Sequence, residues 1–434
     1  MTSPASIVDV FGIGFGPANI ALAIALEELA PHLRVAFVEK RPGPFWQPNM
    51  MLPGSDIQNH PLRDLVTPRN PRSRYTFTNF LFEHNRLYEH LNLPLHYPLR
   101  AEYAQYVSWA AGFFGDRVLY GCKAQSVEAI CASEGTSPHF KVRCSEGRVF
   151  HARSLVVAPG RTPHIPAPFV GLNDVRVRHL NDYLPAVAAG IAATAGQCRV
   201  AVIGGSQSAV EILLHASEQS GVCEVVGFTR NFGFRQKDTS PFSEEVYFPS
   251  FVDTFYHALP NHKERLRQEL VNTNYSSADI DVLNQLYVRR YEQTLLGENR
   301  LQLRMCEEIQ ACSPSATGVE IESRHFLDGS THRQSFDLII LATGFLDLGG
   351  GDRQEPFPPV LELLAADNQL SELSIARDYR IDLVEGLPAY LNGLCESSHG
   401  MGDAGSFSLL ALRSKTIVQS LARQLGPADL THHT

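Results

Sequence analysis

Apolar residues along this chain follow two rhythms, and the first shows near the N-terminus. Val8, Val10, Phe11 and Ile13 make a short β-branched and aromatic run. Gly12, Gly14 and Gly16 interrupt it, and apolar residues at helical spacing then fill 20–29. A second short run at 35–38 ends on Glu39. Short runs punctuated by glycine predict strands, and recurrence at i, i+3 and i+4 predicts a helix. The order strand, glycine turn, helix, strand returns later. There the strand is 200–203, the turn Gly204-Gly205-Ser206-Gln207-Ser208, the helix 210–217 and the second strand 224–228.

Elsewhere the pattern predicts helices over 75–92, 100–114 and 278–292, and a C-terminal helix reaching Ala422. Further strands are predicted over 118–120, 124–130, 140–144, 155–158, 301–304, 318–322 and 336–341, the last followed by Ala342-Thr343-Gly344. The stretch 41–75 is rich in proline and asparagine and follows neither rhythm. A long irregular segment inside a domain usually serves a site, and this one directly follows a glycine turn. The expected fold class is α/β, with two dinucleotide-binding, Rossmann-like domains. The boundaries read as 1–194 with 336–434 for one domain and 195–335 for the other. A mainly helical insertion at 236–297 would bind substrate.

Composition narrows the function. With 434 residues the chain holds roughly two to three domains. Its net charge of −9 argues against nucleic acid or an anionic membrane surface as partner. No apolar run reaches the roughly 18 residues a membrane span needs. Eight cysteines lie scattered without a CxxC pair, which argues against a zinc site or a redox disulfide and leaves the metal set empty. The first strand begins almost at the N-terminus with no basic leader, so the expected location is cytoplasmic.

The glycine turns carry the chemistry. Glycines let backbone approach a pyrophosphate, and the following helix offers free N–H groups and a positive dipole end. In the first unit Gly14 and Gly16 read as the first two glycines, with Pro17 opening the helix and Asn19 standing where a third glycine is usual. Glu39 is placed to accept from a ribose diol, which suits FAD. The second unit carries Arg230 at the corresponding point, which suits the 2′-phosphate of NADPH. The competing reading of Arg230 is a solvated charge at a strand end.

With these motifs in hand, the chain resembles the N-hydroxylating flavin monooxygenases, the siderophore-type ornithine and lysine N-monooxygenases. The resemblance runs end to end, through Gly14-Phe15-Gly16-Pro17-Ala18-Asn19, Asp64-Leu65-Val66-Thr67, Arg69-Asn70-Pro71, the Gly204 turn, Ser240-Pro241-Phe242, Thr273-Asn274-Tyr275, Ala342-Thr343-Gly344 and His399-Gly400. It implies FAD, NADPH and dioxygen, a C4a-hydroperoxyflavin, oxygen transfer to a primary amine, and a homo-oligomer, dimer or tetramer. It places Trp46, Met50 and Gln58 around the flavin and Asn274 near nicotinamide and substrate. Gln58 and Asn274 are thereby the candidate catalytic residues. For Gln58 the alternative is a loop-fixing amide, and for Asn274 a turn or cap residue. Arg230 and Arg235 match positions that hold the NADPH phosphates. The remaining expected cofactor contacts are Glu39, Lys40, Gly204, Ser206, Gln207, Ser208, Thr343, Gly344 and Ser408.

The chain departs from the ornithine pattern where substrate binds. Arg63 stands for the lysine, and Glu244 for the asparagine, that hold the substrate carboxylate in ornithine enzymes. Arg63, Glu244, Asn274, His60 and Arg289 are the expected substrate contacts. Arg69, Arg72, Arg74 and Arg290 add positive charge nearby, and guanidinium forks bind carboxylates bidentately. That abundance favours L-aspartate, a dicarboxylic amino acid, as substrate. Ornithine, lysine or a diamine is the alternative, with Glu244 reading a second amine. A redox-sensing flavoprotein without turnover is the rival from another class.

Overall fold

β1 (Val8–Ile13) runs through the glycine turn into α1 (Pro17–Leu29), and β2 (Val35–Glu39) returns beside β1 in parallel. The computed structural model describes residues 7–132, 137–403 and 405–426. Pro17 at the first helical position presets the backbone angle and lacks an N–H that would have no partner there. From Ile20 to Leu26 no residue of α1 is more than 2% exposed, so the helix is apolar on nearly every face. The segment 75–92 is two helices, α2 (Phe77–Glu83) and α3 (Leu87–Leu91), and not one. Asn85 breaks it in the left-handed region at φ 56°, a conformation asparagine tolerates better than most residues.

α4 (Arg100–Gly112) leads to β3 (Val118–Tyr120), β4 (Ala124–Ile130), β5 (His139–Cys144) and β6 (Val149–Val157). The chain then crosses through 158–164 into a second sheet. Its elements are β7 (Val177–His179), α5 (Tyr183–Ala193), β8 (Cys198–Ile203), α6 (Gln207–Glu218) and β9 (Val222–Thr229). The insertion carries α7 (Pro249–His257), α8 (Pro260–Glu269) and α9 (Ile280–Leu296). β10 (Leu301–Met305) rejoins the sheet. β11 (Glu307–Ser315), β12 (Gly318–His325) and β13 (Thr331–Phe336) form an antiparallel flap, and β14 (Leu338–Leu341) follows. After a return crossing at 342–347 come β15 (Asp347–Leu348), β16 (Gln354–Glu355), α10 (Glu362–Asp367), β17 (Arg380–Val384), β18 (Leu387–Leu391), α11 (Glu396–His399) and α12 (Leu410–Leu425).

The first sheet runs β17-β18-β6-β1-β2-β3, with β5 and β4 added antiparallel beside β6. The second runs β10-β9-β8-β14-β7 and is parallel throughout. This corrects the expected boundaries at 194/195 and 335/336. β7 and β14 belong to the second sheet, with Leu338 to Leu341 in register with Val200 to Ile203. A fully buried run has the same pattern in either sheet, so only pairing decides where it goes. The two crossings lie against each other. Leu346 N–H donates to Thr162 O at 2.8 Å, and His164 N–H to Gly344 O at 3.0 Å.

The two halves also meet through a buried ion pair. Arg100 of α4 and Glu211 of α6 are 8% and 7% exposed, and Arg100 Nη2 lies 2.9 Å from each carboxylate oxygen. Arg100 Nη1 also donates to Met50 O at 2.8 Å. Removing one partner strands the other charge away from water, at about 3–5 kcal/mol. Glu211→Ala is therefore expected to lower stability in urea unfolding by about 3 kcal/mol. Glu211→Gln, which keeps an acceptor for Arg100, is expected to lose less. Equal losses would assign the effect to side-chain shape instead of charge.

Candidate active site

The first glycine turn fits a dinucleotide. Gly14 has φ +85°, and a Cβ there would lie 2.2 Å from the Ala158 carbonyl oxygen. A Cβ on Gly16 would meet nothing within 4 Å, so the turn opens onto free space. Gly16 caps α1 without a side chain and the first turn holds no acid, which leaves its N–H groups for a pyrophosphate. Asn19 replaces a third glycine for a structural reason. Its amide donates to Gly14 O at 2.7 Å and its Oδ1 accepts from Asn392 at 3.0 Å. Gly12 makes room, since a Cβ there would strike the Phe37 ring at 2.1 Å and Asn19 Nδ2 at 3.1 Å. Glu39 accepts Phe15 N–H at 2.8 Å and Arg41 N–H at 2.9 Å, one on each oxygen, and keeps lone pairs for a ribose. Lys40 beside it is exposed.

The stretch 41–75 is bonded to the far end of α1, where Asn70 and Ser73 donate to Glu28 at 3.0 and 2.6 Å. Trp46 sits edge-on to Tyr103 and Phe407, with ring centroids at 6.2 and 5.2 Å. Met50 is buried. Gln47 and Gln58 both adopt left-handed backbone, at φ 46° and 51°. Such strain costs about 1–3 kcal/mol per residue and collects at ligand sites. Gln58 Nε2 is buried without a close hydrogen bond among the described residues, its amide turned towards the Asp279 carboxylate. The open cradle at Gly16 and the uncapped first turn of α1 are the observations that FAD fits. Asp56, which accepts Gln58 N–H at 3.0 Å, is pushed up to about 6 by burial, with Asp279, Asp281 and Glu211 adding to the rise.

The second turn repeats the construction. A Cβ on Gly204, at φ +150°, would lie 2.3 Å from Ala342 O. Ser206 caps α6 without a side-chain bond, and Gln207 and Ser208 form its half-buried first turn. Gln207 ties this helix to the insertion. Its N–H donates to Ser277 O at 2.9 Å, and its side-chain oxygen accepts Asp279 N–H at 2.8 Å. Arg230 follows β9 and is exposed, where a 2′-phosphate would be met. Arg353, which the sequence did not single out, donates to Thr343 O at 2.6 Å. Burial lowers its pKa, and Arg230 and Arg161 add to the lowering, a crowding of positive charge that suits an anion. Arg235 is exposed at the base of the insertion, its carbonyl accepting Ala278 N–H at 2.9 Å. Thr343 and Gly344 hold the crossings together, Thr343 Oγ1 donating to His164 O at 2.6 Å.

Arg63 is aimed by the buried Asp64. That carboxylate accepts the N–H groups of Val66, Thr67 and Phe77 at 2.9, 2.6 and 2.7 Å. Burial raises its pKa, and these bonds oppose the rise. The Arg63 guanidinium lies 5.9 Å from the centre of the Tyr247 ring, and Tyr247 donates to Thr273 O at 3.1 Å, one residue from Asn274. Asn59 donates to Arg63 O at 2.8 Å and accepts from Ser408 Oγ at 3.1 Å. Ser408 thereby ties the 405–408 loop to Asn59, the residue after Gln58. A Cβ on Gly405 would stand 3.4 Å from Asn274 Nδ2. Arg63, Tyr247, Asn274 and the 405–408 loop therefore close around one space.

One expected substrate contact falls outside it. Arg289 is held by Glu218 at 2.9 Å, because α9 turns that face towards α6. His60 is exposed and accepts Leu62 N–H on Nδ1 at 3.2 Å. Burial lowers its pKa, and the neighbouring Arg63 adds to the effect. The sequence also gave no role to Arg161, Tyr275 and Glu396, which meet from segments more than a hundred residues apart.

Residues 6–347 match the family model described as L-lysine 6-monooxygenase/L-ornithine 5-monooxygenase. The chain belongs to the lysine/ornithine N-monooxygenase family. An L-ornithine N(5)-monooxygenase of Pseudomonas aeruginosa is 35% identical over 436 aligned residues, spanning 98% of this chain and 96% of that protein. An ornithine N-hydroxylase of Kutzneria sp. 744, solved with reduced FAD, NADP+ and L-ornithine, matches with a TM-score of 0.86 at 30% identity, covering 97% of this chain and 100% of that one. The L-lysine 6-monooxygenase of Pseudomonas syringae gives 0.82, also at 30% identity, over 96% of this chain and 100% of that one.

Like other members of the lysine/ornithine N-monooxygenase family, this protein is a flavin-dependent N-hydroxylating monooxygenase that uses FAD and NADPH. FAD reduced by NADPH supplies the activated dioxygen. The chain's own residues would bind, orient and exclude water, with Gln58 on the flavin side and Asn274 on the amine side. Gly14→Ala is expected to purify with little bound FAD, read from flavin absorbance per chain, because its Cβ would overlap Ala158 O. Arg230→Ala is expected to raise the KM for NADPH about tenfold and leave that for NADH unchanged in steady-state assays.

Proposed function

We propose that this enzyme hydroxylates the side-chain amine of a basic α-amino acid, with L-ornithine the first candidate. The observation that supports the reading is that Arg63 and Glu244 both act on Tyr247, with the Arg63 guanidinium 5.9 Å from the ring centre. Burial raises the pKa of both Tyr97 and Tyr247, the Glu244 carboxylate raises each further, and Arg63 opposes it. A cation and an anion facing the same two rings suit a zwitterionic head, with Arg63 taking the carboxylate and Glu244 the α-ammonium. The side-chain amine would then extend towards Asn274. Relatives at 35% and 34% identity are L-ornithine N(5)-monooxygenases, which supports the same class.

Aspartate, favoured by the arginine count alone, loses its support. A second carboxylate needs a second clamp, and the nearby guanidiniums are engaged elsewhere. Arg69 lies 2.7 Å from Glu28, Arg74 3.0 Å from Glu27 and Arg289 2.9 Å from Glu218. Arg72 and Arg290 are exposed. Glu244 would repel a dicarboxylate besides. The product class, an N-hydroxylated amino acid, is one that siderophore assembly consumes.

The test is hydroxylamine formed per NADPH consumed, with ornithine, lysine, aspartate and putrescine in parallel. Tight coupling on ornithine or lysine, with aspartate and putrescine uncoupled, is the expected outcome. Coupled turnover of aspartate, or of putrescine as well as ornithine, would overturn the head-group reading. Arg63→Ala is expected to raise the amino-acid KM by about 10–100-fold with kcat little changed, since it holds a part of the substrate that does not react.

A further inference from the structure

The amine of such a substrate arrives as an ammonium, and only the neutral amine has the lone pair that attacks oxygen. A group beside Asn274 must therefore take a proton. Tyr275 is the next residue, and its hydroxyl sits between two charges drawn from distant parts of the chain. It donates to Glu396 Oε2 at 2.5 Å and accepts from Arg161 Nη1 at 3.0 Å. The Arg161 guanidinium also lies 5.4 Å from the centre of the Tyr275 ring. Glu396 opens α11 and is 3% exposed. Gly405 lies beside this pair and beside Asn274. A Cβ on Gly405 would stand 3.4 Å from Asn274 Nδ2, 3.6 Å from the Tyr275 hydroxyl and 3.8 Å from Arg161 Nη1. The Asn274 amide, the Tyr275 hydroxyl and the Arg161 guanidinium thus border one position, small enough for a single carbon or nitrogen to touch all three.

We propose that Tyr275 and Glu396 together accept the proton of the substrate ammonium, a role that rests on the amine reading above. One N–H bond of the ammonium breaks, and its electron pair stays on nitrogen as the nucleophilic lone pair. The proton bonds to the Tyr275 oxygen while the Tyr275 hydroxyl proton passes to Glu396 Oε2. Tyr275 is a neutral phenol before and after, and Glu396 ends as a carboxylic acid. Arg161 donates to the same phenol oxygen and stabilises negative charge there during transfer. Tyr275 touches the substrate, and Glu396 acts through it.

The surroundings suit an acceptor at neutral pH. Burial, with the Asp347 carboxylate adding to it, pushes Glu396 up to about 7, against the pull of Arg161 and Arg267. Asp347 of β15 is itself pushed up by burial and is shared by Arg161 at 3.9 Å and Arg267 of α8 at 3.7 Å. Burial and Glu396 hold the Tyr275 phenol well above its ordinary value, so Tyr275 passes protons without ionising on its own. The other neighbours are neutral or paired. α7 packs on α11 and brings Asp253, bonded to Arg377 at 2.8 Å, and His257. Tyr247 faces Glu396 as a buried phenol whose pKa burial raises. Beyond α11, Asp403 is paired with Arg413 at 2.9 Å, and burial drops His399 to about 4, leaving it uncharged.

The experiment compares kcat/KM for the amine against pH in wild type, Glu396→Gln and Tyr275→Phe, each loaded with FAD and melted to confirm folding. An infrared difference spectrum on amine binding supplies the readout that does not depend on turnover. In wild type kcat/KM is expected to rise with pH through about 7, because the acceptor must be ionised. In both variants the rise is expected to move towards the ionisation of the free amine near 10, with a loss of about 100-fold at neutral pH. The wild-type spectrum should gain a carboxylic-acid carbonyl band on binding, and Glu396→Gln should lack it. A rise left near 7 in either variant, or a band that survives Glu396→Gln, overturns the proposal. A wild type that hydroxylates no amine at any pH fails the function reading itself, and the proton acceptor falls with it.

Discussion

Two close backbone contacts set the plan of the molecule. Gly14 lies against the carbonyl of Ala158, and Gly204 against that of Ala342, each so near that a Cβ would overlap the oxygen. Ala158 and Ala342 are also where the chain leaves one sheet for the other. Each nucleotide turn is therefore pressed onto the start of a crossing, at the carboxyl ends of parallel strands where a sheet changes direction. Both glycine turns thus border the crossings. Arg161, Asp347 and Thr343 lie on them, and the insertion that carries Asn274 and Tyr275 is bonded to the same region through Gln207.

Polar contacts join the halves beside an apolar one, in which Met50 and Leu52 pack into the core of the second half. Arg100 and Glu211 are buried across the boundary, and Arg161 with Asp347 links the two crossings. A buried ion pair repays its desolvation only when geometry is good and the spare donors are satisfied. Arg100 meets that condition with Met50 O, Asp56 O and both Glu211 oxygens. Such a contact holds one relative placement of the halves far better than neighbouring ones, because a small shift strands charge. An apolar contact would tolerate sliding.

The parts legible in the sequence were those built from local pattern. Both glycine turns, their flanking strands and helices, and the change from Glu39 to Arg230 at the strand ends need only short-range spacing. Pairing was not legible. The run Leu338 to Leu341 is equally apolar in either sheet, and its register with Val200 to Ile203 depends on a partner more than a hundred residues away. Charge counting failed for a related reason. Arg69, Arg74 and Arg289 look like a clamp on paper, yet Glu28, Glu27 and Glu218 reach them from other helices. Glu396 reads as one acid among many until folding places it on Tyr275. At Asn85 a single left-handed residue divided a helix whose apolar pattern runs on unbroken.

The bond between Gln207 and Ser277 has an architectural consequence. It fastens the segment bearing Asn274 to α6 behind the second glycine turn, whereas Arg63 is fastened through Asp64 to α2 in the other half. Neither half owns the substrate pocket. A chimaera that exchanged the pyridine-nucleotide half for a relative's would import half of a foreign binding site with it. Substrate preference in this architecture is thus inherited jointly, and the two halves are free to diverge only in step.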